Sequence, residues 1–567
     1  MKNLKVQFKL IIFIFTLLNI SSIVLAKNLD KFSSSRNISN YFSGILAIND
    51  NQYSKSYTHL RILNNLEDSH YNYAKYYQYS LIALNKFKNA ANYSKKLEEK
   101  KIDNFESNLI SVVYYLEDED FKKASFYVQK IINLYPTGTI QNLLSKSLNT
   151  WIVYQSSSDL NSTLSYIDTI PERFENIKKI QKTFAHCYFD SVKTDEMFKQ
   201  LTSTPGVNYS RYNFFHANYL ISKKREKKIK KIIELSLEKY PENLIINQLK
   251  DDLKKKKFAS EFSCKKSEDI IAEIFYIISN VLASQKSYIT SNFYLSLAKY
   301  LNPNFVSYKA LHAENLFLIQ EYEEAKKIYS KIKKRGSIYS WYASTQIASI
   351  LNEQNKKKES IKSLKKSFEE ITTPRIYELF SYAEFLKNNE KYKESVEYYS
   401  KILSLIDSTN PLYAQALEGR GVAYERTNQW DKAEIDLLNS LNASPNDAYV
   451  INYLAYTWIE KGVNVQESLE MLRKANRLKP NDGYIIDSLG WALFKLKKYS
   501  AAKKYLELAI IYMPSDPVVN DHYADALWMN NQSLQARYYW NYVLKLKKTE
   551  NKLKKKIEEK LILGLKS

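Results

Sequence analysis

Apolar residues in the stretch Asp482–Pro514 recur at helical intervals. Ile486, Leu489, Gly490 and Leu493 fall at i, i+3, i+4 and i+7, and Ala502, Leu506 and Ala509 resume the stripe after a polar break around Lys497. Pro514 ends it. The pattern predicts two amphipathic helices folded on each other, with small residues where they touch.

The same pattern runs through most of the chain. An aromatic residue opens the second helix of each pair: Tyr53, Phe87, Phe121, Tyr288, Tyr322, Tyr392, Trp430 and Tyr499. Several of these are 34 positions apart, the period of one helix–turn–helix repeat. Three residues after each comes a small one: Ser56, Ala90, Ala124, Ser291, Ala325, Ser395, Ala433 and Ala502. A bulky side chain there would hold the helices apart. Repeats begin near Asn37, Tyr71, Phe105, Ser210, Ala272, Val306, Trp341, Ile376, Ala414, Tyr449, Gly483 and Pro517. Asp447, Asp482 and Asp516 precede the last three, where a carboxylate accepts from the first free N–H groups of a helix.

This period divides the chain. A signal peptide (1–26) precedes an N-terminal array (27–204) whose repeats are degenerate after 139. A weak repeat and lysine-rich connector (205–268), a central array (269–410), a C-terminal array with the strongest repeats (411–544) and a basic capping helix (545–567) follow. Thr202–Val207 reads as a hinge. The runs Lys223–Lys231 and Lys254–Lys257 read as solvated surface.

Composition agrees with an all-helical array. A chain of 567 residues exceeds the roughly 250–300 at which one core stops growing, and it holds only 10 Gly and 11 Pro. The net charge of +23 comes from 84 Lys+Arg against 61 Asp+Glu, and the excess is mostly dispersed Lys. Arg, the better reader of bases and phosphates, is scarce, so no nucleic-acid partner is expected. Lys2, Lys5 and Lys9 ahead of the apolar run Leu10–Leu18 give the layout of a secretory signal, cut between Ala26 and Lys27, with an uncleaved anchor as the alternative. Cys187 and Cys264 lie far apart in a stack of repeats, which argues against pairing; they read as buried small hydrophobes, with pairing left open.

No catalytic constellation emerges. There is no His-Glu-x-x-His, no Gly-x-Ser-x-Gly and no phosphate loop, and the six His residues are scattered. Ser-x-x-Lys at Ser263–Lys266, Ser330–Lys333 and Ser363–Lys366 is uninformative in a chain so rich in both residues. Gly419 and Gly421 sit within a first helix with no third glycine. The expectation is a protein that is not an enzyme and carries no cofactor and no metal.

These residues resemble the tetratricopeptide repeat family over nearly the whole chain after residue 26, which implies a right-handed α-solenoid that acts as a scaffold. The resemblance places positions 2, 5, 9 and 12 of each repeat on a concave wall. Those positions are Tyr484, Asp487, Trp491 and Phe494 in one repeat, and Val518, Asp521, Asp525 and Trp528 in the next. The repeat before contributes Tyr449, Asn452 and Tyr456. Aromatics beside carboxylates and amides there imply a protein- or peptide-binding surface, against the plainer reading of aromatics as packing residues. The strings GRGVAYERTNQWDKAEIDL, GYIIDSLGWALFKLKKYSAAKKYLELAI and NDHYADALWMNNQSLQARYYW look like those of exported Gram-negative proteins of this family. Some of these are outer-membrane lipoproteins that act as adaptors for a periplasmic carboxyl-terminal processing protease. That likeness implies a periplasmic location and a protease among the candidate partners, although no lipid-accepting Cys lies near the cut. The alternative is a structural envelope component acting through a basic convex surface, by peripheral membrane association or self-assembly.

Overall fold

The computed structural model describes residues 35–565, apart from 64–65, 69, 133, 155–158 and 258–259. Ala26 and Lys27 therefore lie outside the described residues. Every regular element among the described residues is helical. All eight aromatics of the period rule are the first residue of a helix, from Tyr53–Leu60 to Tyr499–Tyr512. The eight small residues three positions on have no exposed surface. A Cβ added to Gly490 would stand 2.7 Å from Leu506 Cγ, which shows how closely the two helices of that pair approach.

The turns have a chemistry that the apolar pattern does not reveal. Two residues before each of the eight aromatics the backbone is left-handed, at Asn51, Asn85, Glu119, Lys286, Gln320, Glu390, Asn428 and Lys497. After helix Gly483–Lys495, Lys497 N–H donates to Phe494 O at 2.8 Å and Lys498 N–H to Leu493 O at 2.9 Å. This paired closure satisfies carbonyls that a helix end leaves free. One tight link is thus reused in every one of these eight pairs, each time without glycine.

The chain forms two compact units, 1–364 and 365–567. In the first unit the supposed connector is core. Phe262 is buried against Phe215 with ring centroids 4.1 Å apart, and Gln248 Oε1 accepts from Ile338 N at 3.0 Å. Cys187 and Cys264, whose closeness the linear stack argued against, form a disulfide with Cα atoms 6.0 Å apart. The run Lys254–Lys257 is exposed.

The reason is that the chain folds back on its first repeats. Helix Tyr288–Leu301 lies against them, with Phe293 stacked on Tyr79 at 4.3 Å and Tyr300 on Phe87 at 3.7 Å, and helix Ser267–Ser284 lies against Ile140–Asn149. Arg211 donates twice to Glu273, at 2.8 and 2.7 Å. Tyr79 and Arg211 are wall positions of their repeats, so this part of the wall is covered by the chain itself. The weak region 139–204 is helical too, built of Ile140–Asn149, Leu160–Asp168, Glu175–Tyr188 and Thr194–Thr202. Its buried Trp151 donates to Gln181 Oε1 at 3.1 Å.

Candidate interaction surface

In the second unit each helix packs on the one before and the one after. First helices also touch across repeats, as Ala448–Lys461 does Gly483–Lys495, and that helix Pro517–Met529. Each of these three starts on an aspartate. Asp447 accepts from Tyr449 and Val450 N–H at 3.0 and 3.2 Å, and Asp482 from Tyr484 and Ile485 at the same distances. Asp516 accepts from Val518 and Val519 at 2.9 and 3.2 Å.

These caps present position 2 at the open end of each first helix. Tyr449 is 53% exposed, Tyr484 56% and Val518 44%. They form a row at one-repeat intervals, apolar in body and edged by the capping carboxylates. The charge of Asp482 and a hydrogen bond to it raise the Tyr449 phenol above its usual range. Tyr456, Asn452, Phe494 and Trp528 are half-buried along the same helices. Burial, with Glu460 and Asp487 nearby, raises the Tyr456 phenol, and Asn452 Oδ1 is buried without a hydrogen-bond partner.

The other expected wall residues are internal. Trp491 is buried, its ring 3.9 Å from His522 and 4.8 Å from Phe494, and its Nε1 donates to Glu460 at 2.6 Å. Asp487 is buried with His522 Nδ1 at 3.0 Å. Burial alone would lower the His522 pKa, but the facing charges of Asp487, Asp521 and Asp525 overcome it and hold it above its ordinary 6.5. The next first helix thus covers positions 5 and 9 of the one before.

At the end of the array helix Asn551–Leu563 takes that covering role. Lys560 Nζ donates to Asp521 at 2.6 Å and to both oxygens of Asp525 at 2.8 Å, and Trp540 Nε1 donates to Asp525 at 3.0 Å. Burial and the neighbouring Asp521 push the Asp525 carboxyl up to about 6. Gly564 lies under Trp528, where any Cβ would meet the ring at 2.1 Å. Asp521 and Asp525 are therefore occupied and Trp528 is covered on one face, so these residues are corrected from an open surface to a closed end. Spacing marks Trp540 only as a scaffold residue of its repeat and does not mark Lys560. The available signal was a lysine bordering the Leu553, Ile557, Leu561 stripe, three positions past the buried Ile557.

Among the described residues no group of three or more His, Cys, Asp or Glu could hold a metal ion, and no helix is long and apolar enough to cross a membrane.

Helix pairs repeating every 34 or 35 residues, closed on small residues and joined by one turn type, define an all-α repeat scaffold. No family model matches the chain. A TPR repeat-containing protein of Pseudomonas aeruginosa is 29% identical over 137 residues, 24% of this chain and 22% of that protein's length. Among solved structures, a chain of the APC/C hetero-tetramer Cut9–Hcn1 aligns with 94% of this chain and 98% of its own, at 14% identity and a TM-score of 0.39. MamA from Desulfovibrio magneticus RS-1 aligns over 32% of this chain and 99% of its own, at 12% identity and a TM-score of 0.27. A thermophilic TPR protein of Thermus thermophilus does so over 33% and 100%, at 14% and 0.29. The chain is thus similar to TPR repeat-containing proteins, and its fold is an all-α array of helix pairs.

Proposed function

We propose that the chain is a non-enzymatic scaffold, exported to the envelope of a Gram-negative cell, that holds a protein or extended peptide along the first helices of its second unit. The observation that carries this is the exposed row Tyr449, Tyr484 and Val518, one residue per repeat. Tyrosines supply contact area at low entropy cost, and the repeat spacing suits an extended ligand. The folded-back helices of the first unit cover Tyr79 and Arg211 there, which favours the second unit as the open wall. The Cys187–Cys264 disulfide supports an oxidising compartment and so export. Adaptor to an envelope protease is the finer form of this reading, and it rests on the likeness of Ala414–Val543 alone. The test is capture of a partner in the native envelope by the chain and by its Tyr449→Ala/Tyr484→Ala variant. Both side chains are exposed, so helical content should hold while capture is lost; unchanged capture would sink the reading.

A further inference from the structure

The lysine run Lys223–Lys231 has no part in that reading, yet the fold sets two of its lysines on a cleft. Helices Thr194–Thr202, Ser210–Ser222 and Glu226–Lys239 line a space of about 590 Å³. Two apolar side chains line it, Ile232 half-buried and Leu235 54% exposed, beside the buried His216 and Ser236. An exposed leucine within a concavity of this size marks surface that gains by being covered. Lys199, Lys228, Lys231 and Lys239 stand around it. The one carboxylate lining the cleft, Asp195, is already engaged by Lys228, by Arg225 at 3.4 Å and by His216 at 3.1 Å. Among the described residues no ion pair engages Lys199 or Lys231. The cleft therefore joins exposed apolar surface to an excess of positive charge.

We propose that this cleft binds an acidic segment of a partner protein, with carboxylates on Lys199 and Lys231 and an apolar side chain on Ile232 and Leu235. Thr202, Ser203, Asn213 and Ser236 line the same walls. Thr202 Oγ1 already donates to Phe198 O at 2.9 Å and Asn213 Nδ2 to Ser236 Oγ at 3.2 Å, which leaves Ser203 and Asn213 Oδ1 to pair with a peptide backbone. The site is separate from the Tyr449–Tyr484 row, so the two readings stand or fall independently.

The test is fluorescence anisotropy of the full chain with a short fluorescein-labelled peptide of alternating Glu and Leu, beside the same peptide with Lys for Glu. The acidic peptide should bind saturably, more weakly as salt rises, and the basic one should not. Lys199→Glu/Lys231→Glu should weaken binding by about tenfold or more, as two lost charge contacts turned repulsive would. Leu235→Ser should weaken it as well without touching the core. Lys227→Glu/Lys230→Glu makes the same charge change on residues that do not line the cleft, and Tyr449→Ala/Tyr484→Ala alters the other surface; both should leave binding intact. Absence of saturable binding, equal loss in the Lys227/Lys230 control, or binding to phosphatidylglycerol vesicles that the peptide cannot displace would overturn the proposal.

Discussion

Arg211 sits among rings, 4.1 Å from Tyr276 and 4.5 Å from Phe305, and its guanidinium grips a Glu273 whose side chain has no exposed surface. Arg211→Met would strand that carboxylate. The expected loss is about 3–5 kcal/mol, read as a fall in the denaturant midpoint of the first unit, with much of it recovered by adding Glu273→Met. His522 gives the second unit a pH dependence. Its folded pKa is held above the ordinary 6.5, so its contribution to stability is fully present below 6.5 and is lost as pH rises through the folded value. The melting midpoint should therefore be higher at pH 6 than at pH 8, and His522→Gln should flatten that difference. The residues around it also mark what spacing could and could not reveal. Position 2 was legible because a capped helix start has nothing in front of it. Positions 5 and 9 were not, because whether Asp487 or Trp491 is open depends on what the next repeat carries at His522.

Among elements, the helix pair was the most legible unit, since its aromatic opener and its small crossing residue are both local. The turn was hidden because left-handed backbone is normally read from glycine, and here Lys497 or Glu390 holds it. A non-glycine residue in that region carries roughly 1–2 kcal/mol of strain, partly offset by the greater chain entropy that glycine loses on folding. Lys497→Gly should thus raise stability by about 0.5 kcal/mol, detectable as a small upward shift of the second unit's denaturant midpoint. A loss would mean that the lysine side chain contributes more than the backbone strain costs. Helix Tyr288–Leu301 shows a different gap. Residues Ser291–Ala298 are all buried, and the apolar residues surround the helix rather than forming a stripe. A helix apolar all round is covered on every side, which was the available sign that it does not merely stack in line.

At the scale of the molecule, the linear reading of repeats accounts for the second unit and misses the fold-back of the first. That fold-back is what brings Cys187 to Cys264 across 77 positions. Replacing both with Ser should cost about 2–4 kcal/mol in the first unit's unfolding and leave the second unit's transition in place. Chain recovered from its native compartment should resist thiol alkylation until reduced; free thiols there would count against export. The same fold-back leaves the two units with different walls. One has part of its wall taken up by its own helices, while the other keeps a row of exposed side chains. The claim that a partner lies along that row is tested most directly by site-specific photocrosslinking. A photoreactive residue at Tyr484 is compared with one at Tyr538, which is 68% exposed on a second helix. A discrete crosslinked protein from position 484, absent from 538, is the expected result. The same products from both positions, or none from 484, would contradict it.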